Sequence, residues 1–382
     1  MKSLFVYNTA QYLYMLRLGL MEALKKKGFE VIFTTPHDEY VPKLVERGFR
    51  HVPVKMDRKS INPVKDIGFL SALYKIYETE RPDIVFHFTP KVNIYGAIAA
   101  RLVGVKCINT VTGLGYAFLG GNFLSKLVKV MYRVSFRFPS RIFFQNNDDF
   151  ELFLRGKMAS SQKAVVVKGT GVDVERFCPD VPLDVSNNTG SVFLFIGRIL
   201  WDKGMREFVL AARSVKARYC EAEFRILGPI YEENPSSVPR KTVHEWEKEG
   251  VLKYCGTTDD VRPYIRQCDV MVLPSYREGM PRAVLEAMAM AKPVITSDVP
   301  GCRDTVEHGK NGFLVPAKDA EALAEAMIKF LELPMQDKNK MGGYSRERAV
   351  REFDEKMIIE IYMREVFKVM EESVLGPKRA TF

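Results

Sequence analysis

Residues 192–204 read VFLFIGRILWDKG, an apolar run that ends at a glycine and continues into a basic loop. The apolar run predicts a buried strand, and a helical pattern follows the loop. A glycine at a strand end lets a ligand approach the backbone, and Arg198 and Lys203 would place positive charge where parallel sheets bind phosphates. The stretch therefore predicts a Rossmann-like unit that binds a diphosphate at Gly197, Arg198 and Lys203. An ordinary surface loop with basic residues is the alternative.

The same pattern extends outward in both directions. Apolar strand segments alternate with amphipathic helical segments as far as residue 345, and again throughout residues 1–180. Between them, residues 179–190 are rich in Pro, Asp, Asn and Gly, which predicts a linker. Alternating strands and helices are typical of parallel sheets covered on both faces. The sequence predicts an α/β protein with Rossmann-like domains at 1–180 and 190–345, and a helical tail at 346–382.

A second motif lies in residues 273–289, LPSYREGMPRAVLEAMA. Glu278 and Glu286 bracket a turn of Gly279, Met280 and Pro281 that opens a helix. Unpaired N–H groups at a helix start suit a phosphate or a sugar hydroxyl, and carboxylates accept hydrogen bonds from vicinal hydroxyls. We therefore expect a donor-binding pocket in which Glu278 holds a sugar and Glu286 a ribose. A loop acid and a solvated helix acid are the alternative.

Composition limits the class of protein. The N-terminal apolar run is too short for a signal peptide, and the sequence has no stretch of about 18 apolar residues that could span a membrane. The six cysteines are scattered without metal-ligand spacing, so buried free thiols are expected. These features predict a cytoplasmic protein.

The net charge of +10 is unevenly distributed. Residues 1–180 hold 27 Lys and Arg against 16 Asp and Glu, whereas the remainder holds 30 against 31. This excess predicts that the first half faces something anionic, such as lipid headgroups, nucleic acid or a phosphorylated acceptor, with solubility alone as the alternative. Among these we expect peripheral contact of the basic N-terminal domain with an anionic inner membrane surface. Residues 123–141 form a basic amphipathic segment, whose cations are Lys126, Lys129, Arg133, Arg137 and Arg141. Cations on the exposed side of a core-packed helix would give the same pattern.

The two motifs together resemble glycosyltransferase family 4, whose fold is called GT-B. Further matching stretches are Gly169–Asp173, Leu227–Pro229, Cys268–Ser275, Lys292–Ile295 and Asn311–Val315. Tyr14 with Arg17, Thr89–Asn93, Gly113–Gly115 and Glu233–Ser236 resemble the subgroup that builds capsular, O-antigen and lipid-linked oligosaccharides. The resemblance implies two Rossmann-like domains with parallel sheets facing across an interdomain cleft. By analogy with two-domain transferases, the helical tail is expected to return to the N-terminal domain.

The resemblance implies roles for the motif residues. Arg198 and Lys203 would bind the donor diphosphate and stabilise the leaving nucleoside diphosphate. Glu278, with Gly279, Met280 and Pro281, would hold the donor sugar, and Glu286 the ribose. The implied reaction is retaining transfer of a hexose or N-acetylhexosamine from a UDP-sugar to a polyprenyl-diphosphate-linked saccharide, without metal or other cofactor.

The first domain departs from the family pattern. Asn8–Gln11 replaces the usual Gly-Gly loop, and Gly113–Tyr116 stands where the family has a histidine. His87, at the end of a predicted strand, is the candidate that helps at the acceptor hydroxyl, with a structural histidine as the alternative. The candidates for acceptor binding are Lys91, Asn93, Asn8 and Tyr14.

Competing hypotheses follow from the same residues. Asp148–Asp149 and Asp259–Asp260 could belong to metal motifs, but acids at these positions favour helix starts. Two other kinds of enzyme are compatible with this architecture: a mannosyltransferase that uses a GDP-mannose-type donor, and a nucleotide-sugar 2-epimerase. A peripheral membrane module without catalysis is a third class. A nucleic-acid partner is disfavoured because no recognised binding motif is present.

Overall fold

A computed structural model describes residues 1–57, 63–113, 123–179 and 191–374. Contacts divide the chain into two compact units. The N-terminal unit comprises Met1–Thr170 together with Lys356–Phe382, and the C-terminal unit comprises Gly171–Glu355. None of the helices in the described ranges is both long enough and apolar enough to cross a membrane.

In the described part of the N-terminal unit, seven parallel strands form one sheet in the order β3-β2-β1-β4-β5-β6-β7. The strands are β1 (Lys2–Val6), β2 (Glu30–Thr34), β3 (Arg50–His51), β4 (Ile84–Phe88), β5 (Lys106–Val111), β6 (Arg141–Phe144) and β7 (Ala164–Val166). The connecting helices are α1 (Ala10–Lys26), α2 (Val41–Glu46), α3 (Pro63–Glu80), α4 (Pro90–Val103), α5 (Phe123–Ser135) and α6 (Asn147–Arg155).

Successive side chains of the central strands point to opposite faces of this sheet, and both faces are buried. Phe5 and Phe86 belong to one apolar core, and Leu4 and Val85 belong to another. Because neither face meets water, the strands are continuous apolar runs rather than alternating ones.

The C-terminal unit repeats the architecture around a second parallel sheet, which among the described residues has six strands in the order β10-β9-β8-β11-β12-β13. The strands are β8 (Val192–Ile196), β9 (Glu223–Leu227), β10 (Lys253–Tyr254), β11 (Val270–Leu273), β12 (Val294–Ser297) and β13 (Gly312–Val315). The helices are α7 (Met205–Lys216), α8 (Arg240–Lys248), α9 (Arg262–Arg266), α10 (Arg282–Ala289), α11 (Ala320–Glu332) and α12 (Met335–Glu352). Ligands of such sheets bind at the carboxyl ends of the strands, which is where the two sequence motifs lie.

The last helix, α13 (Glu355–Val374), belongs almost entirely to the N-terminal unit. Its buried residues recur every three or four positions and join the core that contains Phe5 and Phe86; they are Ile358, Tyr362, Val366 and Val369. Arg141 at the start of β6 donates to Glu365 of α13 at 2.9 Å. An apolar stripe and an ion pair therefore fix this helix on the N-terminal sheet.

The boundaries differ from the prediction in two places. The helical tail is two helices, interrupted at Phe353 and Asp354, and residues 346–355 lie in the C-terminal unit. The stretch 171–179 also belongs to that unit, because Val172 donates to Phe353 O at 2.8 Å and accepts from Glu355 N at 3.0 Å. Most of the predicted linker, residues 180–190, lies outside the described residues.

Candidate functional site

The loop after β8 is shaped by close backbone contacts that only glycine permits. A Cβ on Gly228 would lie 2.0 Å from Gly197 O, and one on Gly204 would lie 2.1 Å from Pro274 O. Gly204 also has a φ of +76°, in the left-handed region. The Gly204 contact packs the end of the first motif against Pro274 in the second, and the Gly228 contact packs the end of β9 against Gly197.

Side chains and backbone then join the two motifs. Tyr276 N donates to Asp202 O at 3.0 Å, and Lys203 Nζ forms an ion pair with Glu278. Ser275 Oγ donates to the same carboxylate oxygen at 2.6 Å. The Lys203 and Glu278 side chains are 19% and 12% exposed, so the pair is largely shielded yet reachable. The cation and the carboxylate predicted for one pocket are therefore in direct contact.

The second motif also makes a hydrogen-bonded contact with helix α7. The Tyr276 hydroxyl lies 3.0 and 2.9 Å from the two carboxylate oxygens of Glu207, a buried residue in α7. Burial and the Glu207 carboxylate raise the pKa of Tyr276, so the phenol remains a hydrogen-bond donor at neutral pH. This contact fixes the turn that carries Glu278.

Two helices begin at this site, and neither has a side-chain cap in the structure. Gly204 is the N-cap of α7, and Pro281 is the N-cap of α10. The first N–H groups of a helix carry partial positive charge, which attracts anions. Arg198 is exposed beside the first of these helices, and Gly279, Met280 and Pro281 precede the second. The arrangement suits an oxyanion with several charged oxygens.

Glu286 lies one turn inside α10 and has a partner that the prediction missed. Arg282 Nε donates to Glu286 Oε1 at 3.0 Å, and Arg282 Nη2 lies 4.0 Å from Glu355 Oε2. Burial raises the pKa of Glu286, and the Arg282 guanidinium opposes that shift. The spacing of four residues between Arg282 and Glu286 was the available signal, because such residues are neighbours on a helix.

In the N-terminal unit, His87 lies in a buried network. Nδ1 lies 2.8 Å from Asn109 Oδ1, and Nε2 lies 2.9 Å from the Tyr77 hydroxyl. Burial lowers the pKa of His87 to about 4, so the ring is neutral at pH 7. Asn93 is also buried, and donates to Thr110 O at 2.8 Å. The geometry favours the structural alternative for His87, and Asn93 lies in the same buried region, where its backbone oxygen accepts from Asn109 Nδ2 at 2.8 Å.

The other acceptor-side candidates lie near the carboxyl ends of β1 and β4. Lys91 is half-buried and donates to Asp66 Oδ1 at 2.6 Å and to Asp57 O at 3.0 Å. Asn8 is half-buried just after β1. Tyr14 lies in α1, with its ring centroid 5.6 Å from that of Tyr40. Since β1 and β4 are neighbours in the sheet, Asn8 and Lys91 follow adjacent strands.

The start of α1 differs from the helix starts in the C-terminal unit. Tyr12 N donates to the Thr9 hydroxyl at 3.1 Å, and the Asp38 carboxylate accepts from Ala10 N at 2.8 Å and from Gln11 N at 3.3 Å. A carboxylate of the chain itself thus occupies the position that a phosphate takes in a Rossmann dinucleotide site. This is the structural counterpart of the missing Gly-Gly loop.

The acidic doublets lie at helix starts, as predicted. Asp148 and Asp149 are in the first turn of α6. Asp260 accepts from Arg262 Nη2 at 2.7 Å, and this pairing lowers the pKa of Asp260 to about 2. Among the described residues, no group of three or more His, Cys, Asp or Glu side chains is arranged to hold a metal ion.

Helix α5 has an exposed face that is both apolar and basic. Leu127, Val130 and Val134 are 45%, 49% and 48% exposed, at helical spacing. Lys126 and Arg133 of this helix are exposed as well, and so is Arg137 just beyond its end. The prediction that the basic segment extends to Arg141 is wrong. The helix ends at Ser135, and Arg141 pairs instead with Glu365 and Glu372 of α13.

Comparison with family descriptions gives two matches. "Glycosyl transferases group 1" matches residues 190–333, and "Glycosyl transferase 4-like" matches residues 2–146. Each falls on one of the two sheets described above.

Among curated proteins, the chain is 28% identical over 377 residues to the N,N'-diacetylbacillosaminyl-diphospho-undecaprenol alpha-1,3-N-acetylgalactosaminyltransferase of Campylobacter jejuni, covering 94% of this chain and 96% of that protein. It is 30% identical over 285 residues to the UDP-Gal:alpha-D-GlcNAc-diphosphoundecaprenol alpha-1,3-galactosyltransferase of Escherichia coli, covering 71% and 72%. These relatives agree with the subgroup resemblance found in the sequence.

Among solved structures, HepE of Anabaena in complex with UDP superimposes with a TM-score of 0.78 at 17% identity, covering 96% of this chain and 100% of that one. Sucrose-phosphate synthase of Thermosynechococcus elongatus gives 0.79 at 19% identity, covering 98% and 100%. At this identity the likeness establishes the fold, which is GT-B.

Proposed function

This chain belongs to the glycosyltransferase group 1 family, and we propose that it moves a hexose or an N-acetylhexosamine from a UDP-sugar to a polyprenyl-diphosphate-linked saccharide, with retention of anomeric configuration. Both relatives are named as transferases that act on a diphospho-undecaprenol-linked sugar. The observation that carries the proposal for this chain is the contact of Lys203 with Glu278.

In the proposed complex, the donor diphosphate lies against Lys203 and Arg198, near the starts of α7 and α10. Phosphate oxygens compete for the Lys203 ammonium, and this frees the Glu278 carboxylate to accept a hydroxyl of the donor sugar. Ser275, which donates to Glu278, keeps that carboxylate oriented during the exchange. Glu286 then accepts the ribose hydroxyls.

Bond cleavage at the anomeric carbon leaves negative charge on the nucleoside diphosphate. Lys203, Arg198 and the helix starts stabilise that charge, so the leaving group departs without a protein nucleophile. The acceptor oxygen bonds to the anomeric carbon on the face that the phosphate leaves, and its proton passes to a phosphate oxygen. In this mechanism the residues position and stabilise, and none is covalently modified.

The proposal needs no metal ion, because two cationic side chains and two helix starts serve the diphosphate. The corresponding test is transfer measured in buffer with excess EDTA and again with added Mg²⁺. Equal rates are expected, and a rate that requires Mg²⁺ would contradict this part of the proposal.

The acceptor is lipid-linked in this proposal, and α5 provides a surface for the membrane. Its half-exposed apolar side chains would enter the headgroup region, while Lys126, Arg133 and Arg137 meet anionic lipids. Sedimentation with vesicles of anionic and of neutral phospholipid tests this. Binding to anionic vesicles should weaken when Leu127 and Val130 are both replaced by Ser, and equal binding by that variant would contradict the contact.

The experiment that tests the function is transfer by purified protein from UDP-galactose, UDP-glucose and their N-acetylamino counterparts to a short polyprenyl-diphosphate-linked sugar. Mass spectrometry identifies the product, and anomeric proton couplings in NMR report the configuration. GDP-mannose as the sole productive donor would overturn the choice of donor. Consumption of a UDP-sugar without acceptor would favour an epimerase instead.

Donor binding can be tested independently of transfer. A ligand at 100 times its dissociation constant stabilises the folded state by about 2.7 kcal/mol, which a thermal melt detects. UDP should raise the melting temperature of wild-type protein, and the Lys203→Met variant should lose most of that response.

A further inference from the structure

Arg17 in α1 is a buried cation with no ion-pair partner among the described residues. Only 3% of the residue is exposed, and its Nε and Nη2 atoms have no hydrogen-bond partner among the described residues. The guanidinium carbon lies 4.4 Å from the centre of the Phe88 ring and 5.7 Å from that of Tyr362. Ring faces attract a cation but accept no strong hydrogen bond, so the donors on this side chain remain unsatisfied.

The two unpartnered nitrogens are adjacent on one edge of the guanidinium. Nε and Nη2 point their N–H bonds in nearly parallel directions, which is the fork that binds two oxygens of one carboxylate or phosphate. Burying a charge without a counter-ion is strongly destabilising. The Arg17 fork is therefore oriented to bind an oxyanion but has none bound among the described residues.

The position of the fork points to a ligand rather than to the core. Side chains on a helix tilt toward its N-terminus, so Arg17 reaches back toward the start of α1. Phe88 is the last residue of β4, and Tyr362 lies 3.0 Å, between hydroxyl oxygens, from Thr110 near the end of β5. The fork thus lies close to the carboxyl ends of central strands, the edge at which parallel sheets bind ligands.

The acids of the chain do not supply the missing oxyanion in the described ranges. Asp38, the acid at the start of α1, accepts from the helix N–H groups instead. Of the undescribed segments, 58–62, 114–122 and 375–382 contain neither Asp nor Glu, whereas 180–190 contains Asp180 and Asp184. No acid among the described residues therefore balances the charge on Arg17, and the fork has the chemistry to take an anion from outside the chain.

We infer that Arg17 binds a phosphoryl group of the acceptor diphosphate through Nε and Nη2. The identity of the anion as part of the acceptor rests on the proposed function, whereas binding of a phosphoryl oxyanion by the fork does not. Inorganic phosphate has the same chemistry, and the experiment below separates the two sources.

The first arm measures melting temperature with UDP saturating, so that the donor site is occupied. Inorganic pyrophosphate should raise the melting temperature of wild-type protein and leave that of Arg17→Met unchanged. Without any anion, Arg17→Met should melt no lower than wild type, because methionine fills the space without a buried charge. Arg101→Met, at an exposed arginine in α4, is the matched control and should respond as wild type does.

The second arm measures transfer kinetics. Arg17→Met should raise the acceptor KM about tenfold or more while the donor KM stays within twofold of wild type. Arg17→Lys keeps the charge but has no fork, and should fold normally with a raised acceptor KM. This second variant keeps the test decisive if the methionine variant fails to fold.

The outcomes are distinguishable. A methionine variant that melts well below wild type and keeps its acceptor KM would overturn the inference and make Arg17 a packing residue. Equal pyrophosphate responses in wild type and variant would also overturn it. If the pyrophosphate response depends on Arg17 but the acceptor KM is unchanged in the variant, the ligand of the fork is free phosphate and not the acceptor diphosphate. A specific response in a protein that transfers no sugar would refute the proposed function and leave the fork standing.

Discussion

The two units share one architecture but differ in how the first N–H groups of the helix after the first strand are capped. Helix α1 begins with Thr9 and Asp38 on its N–H groups, whereas α7 begins at Gly204 without a side-chain cap. The same contrast holds for charged and polar side chains near the strand ends. In the C-terminal unit, Lys203 and Glu278 are paired yet partly exposed, while in the N-terminal unit His87 is sealed in a buried network.

This difference suggests that one fold can use its strand ends for ligand or for its own stability. Substitutions at the ends of the C-terminal sheet should remove activity with little loss of stability. Those in the His87 network and at the start of α1 should do the reverse. The following changes test the contrast, in order of decreasing expected effect.

Lys203→Met and Glu278→Gln should each lower kcat/KM by about 10²-fold or more, because in the proposed mechanism each removes a group that stabilises the transferred sugar or the leaving diphosphate. Melting temperature should fall only modestly, since water reaches the 19% and 12% exposed side chains and Ser275 still donates to Glu278. Lys241→Met and Glu245→Gln, both exposed in α8, are the matched controls. Near-normal turnover in either site variant would refute the assignment of the donor site.

His87 should make the N-terminal unit sensitive to acid. Its pKa is lowered from 6.5 to about 4, so the unfolded chain binds the proton more readily between these values. Stability is then full above pH 6.5 and falls as the pH drops toward 4, by roughly 3 kcal/mol in total for a shift of this size.

Denaturant unfolding at pH 7.5 and pH 5 measures this effect. His87→Gln should reduce the difference between the two pH values and keep kcat near that of wild type. His244→Gln, at an exposed histidine, should behave as wild type does. A His87→Gln variant that remains stable but loses kcat would instead support a catalytic histidine and break the contrast.

Arg282→Met should raise the donor KM about tenfold with little change in kcat, because it removes the partner that keeps Glu286 ionised and oriented. The Glu286 pKa is raised by burial, so donor affinity should fall as the pH drops through it. Without Arg282 the pKa rises further, and the loss of affinity should begin at a higher pH. Donor titrations as a function of pH give the two midpoints, with Arg240→Met as an exposed control. Identical midpoints would show that Arg282 acts on the fold alone.

Asp38→Ala should lower the free energy of unfolding by about 1 kcal/mol, the usual contribution of a capping acid. It should leave the donor KM unchanged, because the affected helix is in the other unit. Glu39→Ala, at the exposed neighbouring residue, should have no effect on either quantity. A change in donor KM would mean that the two helix starts are not independent in function.

Much of the fold and of the candidate donor site could be predicted from the sequence, because both depend on local patterns. The strands β8 and β11 were predicted at their observed bounds, and both motifs lie at strand ends. Contacts between distant residues were less accessible. Asp38 meets Ala10 across 28 positions, and the burial of His87 depends on Tyr77 and Asn109 from other elements. From the sequence, Arg141 was interpreted as one more cation of the basic segment, because its partners Glu365 and Glu372 lie more than 220 residues away.

The hydrogen bonds that join Val172 with Phe353 and Glu355 have a consequence for synthesis on the ribosome. They bring the two ends of the C-terminal unit together, so this unit is a continuous insertion within a discontinuous one. Residues 171–355 can complete their fold once translated, whereas the N-terminal sheet must wait for α13. At about 5–20 residues per second, that wait is roughly 10–40 s. During it, the core that contains Phe5 and Phe86 lacks its last covering helix, and a nascent chain is most exposed to chaperones and proteases at this surface.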